Sequence, residues 1–400
     1  MVQHMSEPEG PTETSRFSLV SGGLLFQLFR HTRLSGDELE FLPRRMLAVC
    51  CLAWLPLLIL SALAGTAWGS GIEVPFLYDF DTNIRFLIAL PVLIAAEVVV
   101  HASLSPSLQR FVTQRIVREE GLPAFRSAIN SALRLRNLFI AEIALIIFVF
   151  TAGHWIWLSR VALAETTWYA SPHGAHLHLT PAGYWYVFFS IPIFQFIMTR
   201  WYLRLFIWFQ LLWRISRLNL QLEAAHPDRA GGLNFLGTAS YVFAPILFAQ
   251  GAVLAGMFAD RVVLERQSFL GFKVTAASLA IFWVFALLAP LAMFTPHLLR
   301  AKGAGRSEYG SLASRYLLAF KAKWLHAPTP GKDPLLGSSD IQSLADMVNS
   351  YDAVRRMRLV PFGITEITVL AAVTLAPLLP LTLTVFSVDQ LVDRLIKMMF

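Results

Sequence analysis

The stretch MLAVCCLAWLPLLILSALAGTAW, residues 46–68, carries no acidic or basic side chain over its whole length. A bilayer has a hydrocarbon core of about 30 Å, which about 20 helical residues span. Lipid offers backbone groups no hydrogen-bond partner, so such a stretch crosses as a helix that closes its own bonds. Six more apolar stretches follow at 84–103, 138–158, 183–209, 238–259, 274–298 and 360–386. The chain therefore reads as all-α, a polytopic transmembrane helix bundle of about seven spans. Pro377 and Pro380 interrupt the last run, and a re-entrant hairpin after six spans is the alternative.

Composition agrees with this reading. Hydrophobic residues make up 56% of the chain and charged residues 15%, against roughly 45–50% and about 25% in soluble domains. Mean hydropathy is +0.57. The formal charge of +7 would suit nucleic acid if it were spread over one surface. Instead it gathers between apolar runs, at Arg110, Arg115, Arg118, Arg126, Arg134 and Arg136 in the 104–137 connector and again across 299–359. The 69–83 connector has no Lys or Arg. This alternation predicts a cytoplasmic N-terminus in a bacterial inner membrane, with the lipid bilayer as partner and no nucleic acid.

Adjacent Cys50 and Cys51 do not reach disulfide geometry within a helix. Residues 1–45 form a polar segment ending in an apolar cluster around Leu24–Phe29, expected to lie on the interface, and 46–386 form the membrane domain. Residues 387–400 read as an amphipathic tail, with Leu391, Leu395, Met398 and Met399 spaced for one helical face. No phosphate-binding GxxxxGK[ST] loop, HEXXH or GxSxG occurs, so ATP-driven transport and the common membrane-hydrolase chemistries lose support.

Ionisable residues inside apolar runs are the strongest functional signal. They are Glu97, His101, Glu142, Arg200, Arg204 and Glu366. Each such charge costs about 2.5–3.5 kcal/mol at a helix centre and therefore pairs or lines a polar cavity. Glu97 and His101 are four residues apart, as are Arg200 and Arg204, so each pair shares a helical face. A rise of about 1.5 Å per residue sets the carboxylates and the arginines at one depth, toward the cytoplasmic side. That predicts a charged vestibule; the competing arrangement has the arginines reaching separately to headgroup phosphates.

Between the fourth and fifth runs lies His226-Pro227-Asp228-Arg229-Ala230-Gly231-Gly232-Leu233. Pro227 stops a helix, Gly231 and Gly232 admit positive φ, and Asn234 suits a helix cap, which together make a sharp turn. His226, Asp228 and Arg229 are equally an anion-binding or titrating set. The segment resembles one in bacterial multi-pass inner-membrane proteins to which no activity is attached. In those, a His-Pro-Asp-basic-x-Gly-Gly-Leu loop joins two spans and a Pro-rich final run precedes an amphipathic tail. Covering residues 40–400, the resemblance implies a helical membrane fold and an inner-membrane location.

His173, His176 and His178 make the 159–182 connector rich in imidazole, which suits zinc, copper or nickel. Their spacing matches no structural-zinc signature, and solvated loop histidines are the plainer reading. Apart from a metal ion there, no cofactor is implied. A channel or secondary transporter for a small ion or solute is the leading expectation. The alternatives are a sensor or scaffold that binds a cytoplasmic partner through the connectors 104–137 and 299–359, and a metal-dependent membrane enzyme. Either a homo-oligomer or a cytoplasmic partner fits the connectors.

Overall fold

The computed structural model describes residues 18–20, 22, 41–69, 72–153, 155, 167–173, 176–326 and 339–383, without the side chains of 171–177. The first helix, α1 (Leu42–Leu63), buries Arg45, Val49, Ala53, Leu57 and Ser61, one residue per turn, and turns Leu47, Leu52, Leu55, Ile59 and Leu63 outward. A helix apolar all round with one buried stripe is packed on one side and lipid-facing on the other. The others are α2 (Phe80–Thr113), α3 (Leu122–Arg136), α4 (Phe139–Gly153), α5 (Pro181–Ile215), α6 (Phe235–Val263), α7 (Phe269–Leu325), α8 (Ser339–Arg355) and α9 (Ile364–Thr382).

Among the described residues six helices are long and apolar enough to cross a membrane: α1, α2, α5, α6, α7 and α9. A seventh crossing arises if α3 and α4, bent by 46° at their junction, count as one span. The chain is thus a polytopic helical membrane protein. Pro377 and Pro380 do not fold α9 back: residues Ala376–Leu378 tighten to a 3-10 turn and the helix continues to Thr382. Both the apolar cluster at Leu24–Phe29 and the tail at 387–400 lie outside the described residues.

Helix length departs from expectation. α2 has 34 residues, α5 has 35 and α7 has 57, the last about 86 Å long. Bilayer crossing takes only about 20 residues. α2 and α7 continue into the connectors 104–137 and 299–359 and pack there with α3 and α8, burying Leu108, Phe111, Phe125, Ile129, Leu211, Ile215, Phe294, Leu298, Val354 and Met357 in one core continuous with that of the bundle. Phe111 is its centre, with ring centroids 5.8 Å from Phe125, 5.1 Å from Phe235 and 6.5 Å from Phe294. Continuous helices satisfy their backbone groups through the boundary, so extending them costs nothing that a surface helix would save.

Close packing within the bundle runs along the small-residue face of α6, where Gly251, Ala252, Ala255, Gly256 and Ala259 are buried. A methyl group at Gly251 would stand 1.9 Å from the Thr374 carbonyl oxygen of α9, and one at Gly256 would stand 2.8 Å from Asp81 Cα of α2. Small residues let backbones approach where lipid supplies no hydrophobic force between helices.

A buried polar junction closes the end where α2 begins. Asp260, near the end of α6, accepts from the backbone N–H of Phe80 at 2.8 Å and of Asp81 at 3.1 Å. Asp79 caps the same helix from its own chain, accepting from Thr82 N at 2.8 Å, and also takes Trp168 Nε1 at 2.8 Å. Arg85 pairs with Asp81 and lies over the Phe194 ring. Three carboxylates around one helix start follow from its exposed N–H groups and positive dipole end.

The 159–182 connector, expected as a flexible loop, contains an antiparallel hairpin of β1 (Ala170–His173) and β2 (His176–Leu179). Its register pairs His173 with His176 and Ser171 with His178. Gly183 at the start of α5 meets it so closely that a methyl group there would stand 2.0 Å from the Tyr169 carbonyl oxygen.

Candidate functional site

Four helices bring charge to one buried point. Glu97, at mid-length in α2, receives Arg204 Nη2 at 2.8 Å and Arg200 Nη1 at 3.4 Å on its Oε1, and Arg45 Nη2 at 3.0 Å on its Oε2. Arg200 Nε is 3.2 Å from Glu142 Oε1 of α4. All five side chains are buried.

Local sequence places each member. Arg200 and Arg204 are one turn apart on α5 and so aim together. Arg45 and Glu142 both sit in the first turn of their helices, close to where lipid-facing Leu47 and Phe139 begin. A cation in the first turn opposes the helix dipole, a cost that the Glu97 carboxylate offsets at Arg45. Among the described residues three guanidinium groups meet two carboxylates there.

The N-terminal residues Ser18–Val20 and Gly22 cover the cluster on its arginine-rich side. Gly22 O accepts from Arg200 Nη2 at 2.9 Å, and Ser18 O accepts from Arg136 Nη1. Ser18 Oγ lies 2.7 Å from His101 Nδ1. Leu19 and Val20 are each only 1% exposed, so this segment is wedged into the bundle rather than laid over it.

Of the residues singled out from the sequence, Glu97, Glu142, Arg200 and Arg204 thus meet directly, with His101 one turn below through Ser18. The arginines do not reach out separately to headgroups. Glu366 goes elsewhere: it accepts from the Gly363 backbone N–H at 2.7 Å and caps α9, beside Arg358. Expected in a common vestibule with the other five, it instead turns to the N–H groups at the start of its own helix, whereas Glu142, equally in a first turn, pairs with Arg200.

Arg45 was missed because it reads as a flanking, positive-inside residue just ahead of an apolar run. Its distinguishing signal was position: it heads the buried stripe Val49, Ala53, Leu57, whereas Arg44 does not. Asp79, Asp81 and Asp260 were missed because each flanks a run, and Arg85 because it stands at the very start of the 84–103 run and reads as its edge.

The His226–Leu233 loop is a turn organised by one carboxylate. Asp228 Oδ1 accepts from Ala230 N at 2.7 Å and Gly232 N at 3.2 Å, and Oδ2 accepts from Asn234 N at 3.1 Å. His226 Nδ1 is 2.9 Å from Asp228 Oδ1. Burial alone would push the Asp228 carboxyl up, but the backbone N–H groups of Ala230, Asn234 and Gly232, with His226, outweigh it and hold it below the ordinary carboxylate range. Arg229, Gly231 and Gly232 take φ of 57°, 63° and 94°, the left-handed region. Asn234 does not cap the following helix through its side chain; its Oδ1 instead accepts from Arg358 Nη2 at 2.7 Å. Arg358 also donates to Asp228 O at 3.0 Å, tying the turn to the chain after α8.

His178 is exposed, and the side chains of His173 and His176 lie outside the described residues. No group of three His, Cys, Asp or Glu side chains suited to a metal ion occurs among the described residues.

Comparison of the chain with known protein families, with curated proteins and with solved structures finds no match in any of the three.

Proposed function

We propose that this chain is a permeation protein, a channel or secondary transporter for a small ion or solute, whose cytoplasmic entrance is closed by Ser18–Val20 and Gly22. The observation that carries the reading is the Arg45–Glu97–Arg200–Glu142–Arg204 network, charge from four helices held at one depth. Charges at membrane depth are retained where they line or gate a polar path. Arg200 has two carboxylate acceptors on different helices, Glu97 and Glu142, and shifting its allegiance between them would loosen α2 or α4 in turn. The positive-inside pattern of 104–137 and 299–359 orients the closed side toward the cytoplasm of a bacterial inner membrane.

The test is flux in proteoliposomes across a panel of salts and pH gradients, with wild type, a chain lacking residues 1–22, and the charge-matched exposed control Arg315→Gln. Deletion should raise flux several-fold over wild type and the control. Cooperatively folding protein that passes nothing in any of the three forms overturns the proposal.

The α7–α8 hairpin favours a second reading, a scaffold or sensor, because its exposed Leu317, Leu318, Ile341 and Val348 lie on a helix pair longer than the bilayer requires. Crosslinking in native membranes separates the two: a stoichiometric partner lost on Leu318→Glu, with no flux in vesicles, would select the scaffold.

A further inference from the structure

A second charged site lies away from the Glu97 cluster, on the polar face of α3. Phe125, Ala128, Ile129 and Ala132 bury one face of this helix against the bundle, and Arg126, Ser127, Asn130, Ser131 and Arg134 occupy the other. Together with Arg214 from the last turn of α5 they line an open cavity of about 540 Å³, and no acidic side chain contributes to its wall.

We propose that this cavity binds a phosphate-bearing anion. Three guanidinium groups, two hydroxyls and an amide supply only positive or donor-capable groups, the complement of a phosphate ester's acceptor oxygens. Its level favours a phospholipid headgroup as the source. On α3–α4, Arg134 precedes the exposed apolar run that starts at Leu138, and on α5, Arg214 follows exposed Trp213. Both guanidiniums therefore stand within about two helical turns of the last lipid-facing side chain, where headgroup phosphates lie.

Calorimetric titration of the full chain in non-ionic detergent tests this with three probes: dihexanoyl phosphatidylglycerol, dihexanoyl phosphatidylcholine and inorganic phosphate. Saturable one-to-one binding of the phosphatidylglycerol, weakened about tenfold or more in Arg126→Gln/Arg214→Gln and unchanged in the exposed control Arg315→Gln, is the expected result. Inorganic phosphate binding as tightly, with the same dependence on Arg126 and Arg214, would support the site and make its ligand a soluble phosphate compound. Equal binding of phosphatidylcholine, equal weakening in Arg315→Gln, or no saturable binding to a variant and wild type that melt alike would overturn it.

Discussion

Arg45 Nη2 lies 3.0 Å from Glu97 Oε2, joining the first turn of α1 to the middle of α2, with side-chain exposures of 1% and 9%. Arg200 and Arg204 pair with the same carboxylate through its Oε1.

Glu97→Gln therefore removes the carboxylate that Arg45, Arg200 and Arg204 share, leaving Arg200 with Glu142. Removing one partner of a buried pair costs about 3–5 kcal/mol. Thermal unfolding in non-ionic detergent should show a clearly lowered midpoint, and adding Arg204→Gln should restore part of it. A double variant as unstable as the single one would argue that the arginines do not share this carboxylate.

The Asp228 turn sets a pH dependence. Its carboxyl is held below the ordinary range, so the stabilisation is complete above the unfolded value of about 3.9 and is lost as pH falls through the lower folded value. Asp228→Asn should cost about 1–2 kcal/mol near neutral pH and lose that difference from wild type in acid below about pH 4. Melting curves taken from pH 7 to pH 3 read this directly; a gap that widens in acid would contradict the sign.

Gly251→Ala places a methyl group 1.9 Å from the Thr374 carbonyl oxygen. Backbone on both sides has no rotamer with which to give way, so α6 and α9 must separate, at a cost of about 1–3 kcal/mol. Thermal unfolding in non-ionic detergent should show a lowered midpoint; an unchanged midpoint would mean the helices are less tightly apposed.

Asp260→Ala removes both acceptors from the Phe80 and Asp81 N–H groups. Losing a helix cap of this kind costs about 1–2 kcal/mol. Hydrogen exchange of the Phe80–Asn83 amides should speed up while the amides of α9 keep their protection. Equal acceleration throughout would point to global rather than local opening.

Much of the fold was open to reading from composition and run length, because bilayer thickness imposes one length scale on every span. The outward ends of helices were not, since the 104–137 and 299–359 segments look amphipathic whether they lie on a membrane or continue a helix that extends the bundle's core. At the charged site, the i,i+4 spacing of Arg200 and Arg204 already aimed them together. Depth alone then matched them with Glu97 and Glu142, but it also matched Glu366, which its own helix captured.

What the sequence determined by itself is that this chain crosses a membrane as helices and that its embedded charges need partners, for hydrocarbon enforces both without reference to any neighbour. Which partners they take was decided by tertiary structure. Arg45 joins Glu97 because the buried stripe of α1 turns it inward, and Gly22 reaches Arg200 across a sequence separation of 178 residues. Pairing in a low-dielectric interior depends on distances of a few ångströms, which helix packing sets and linear spacing does not.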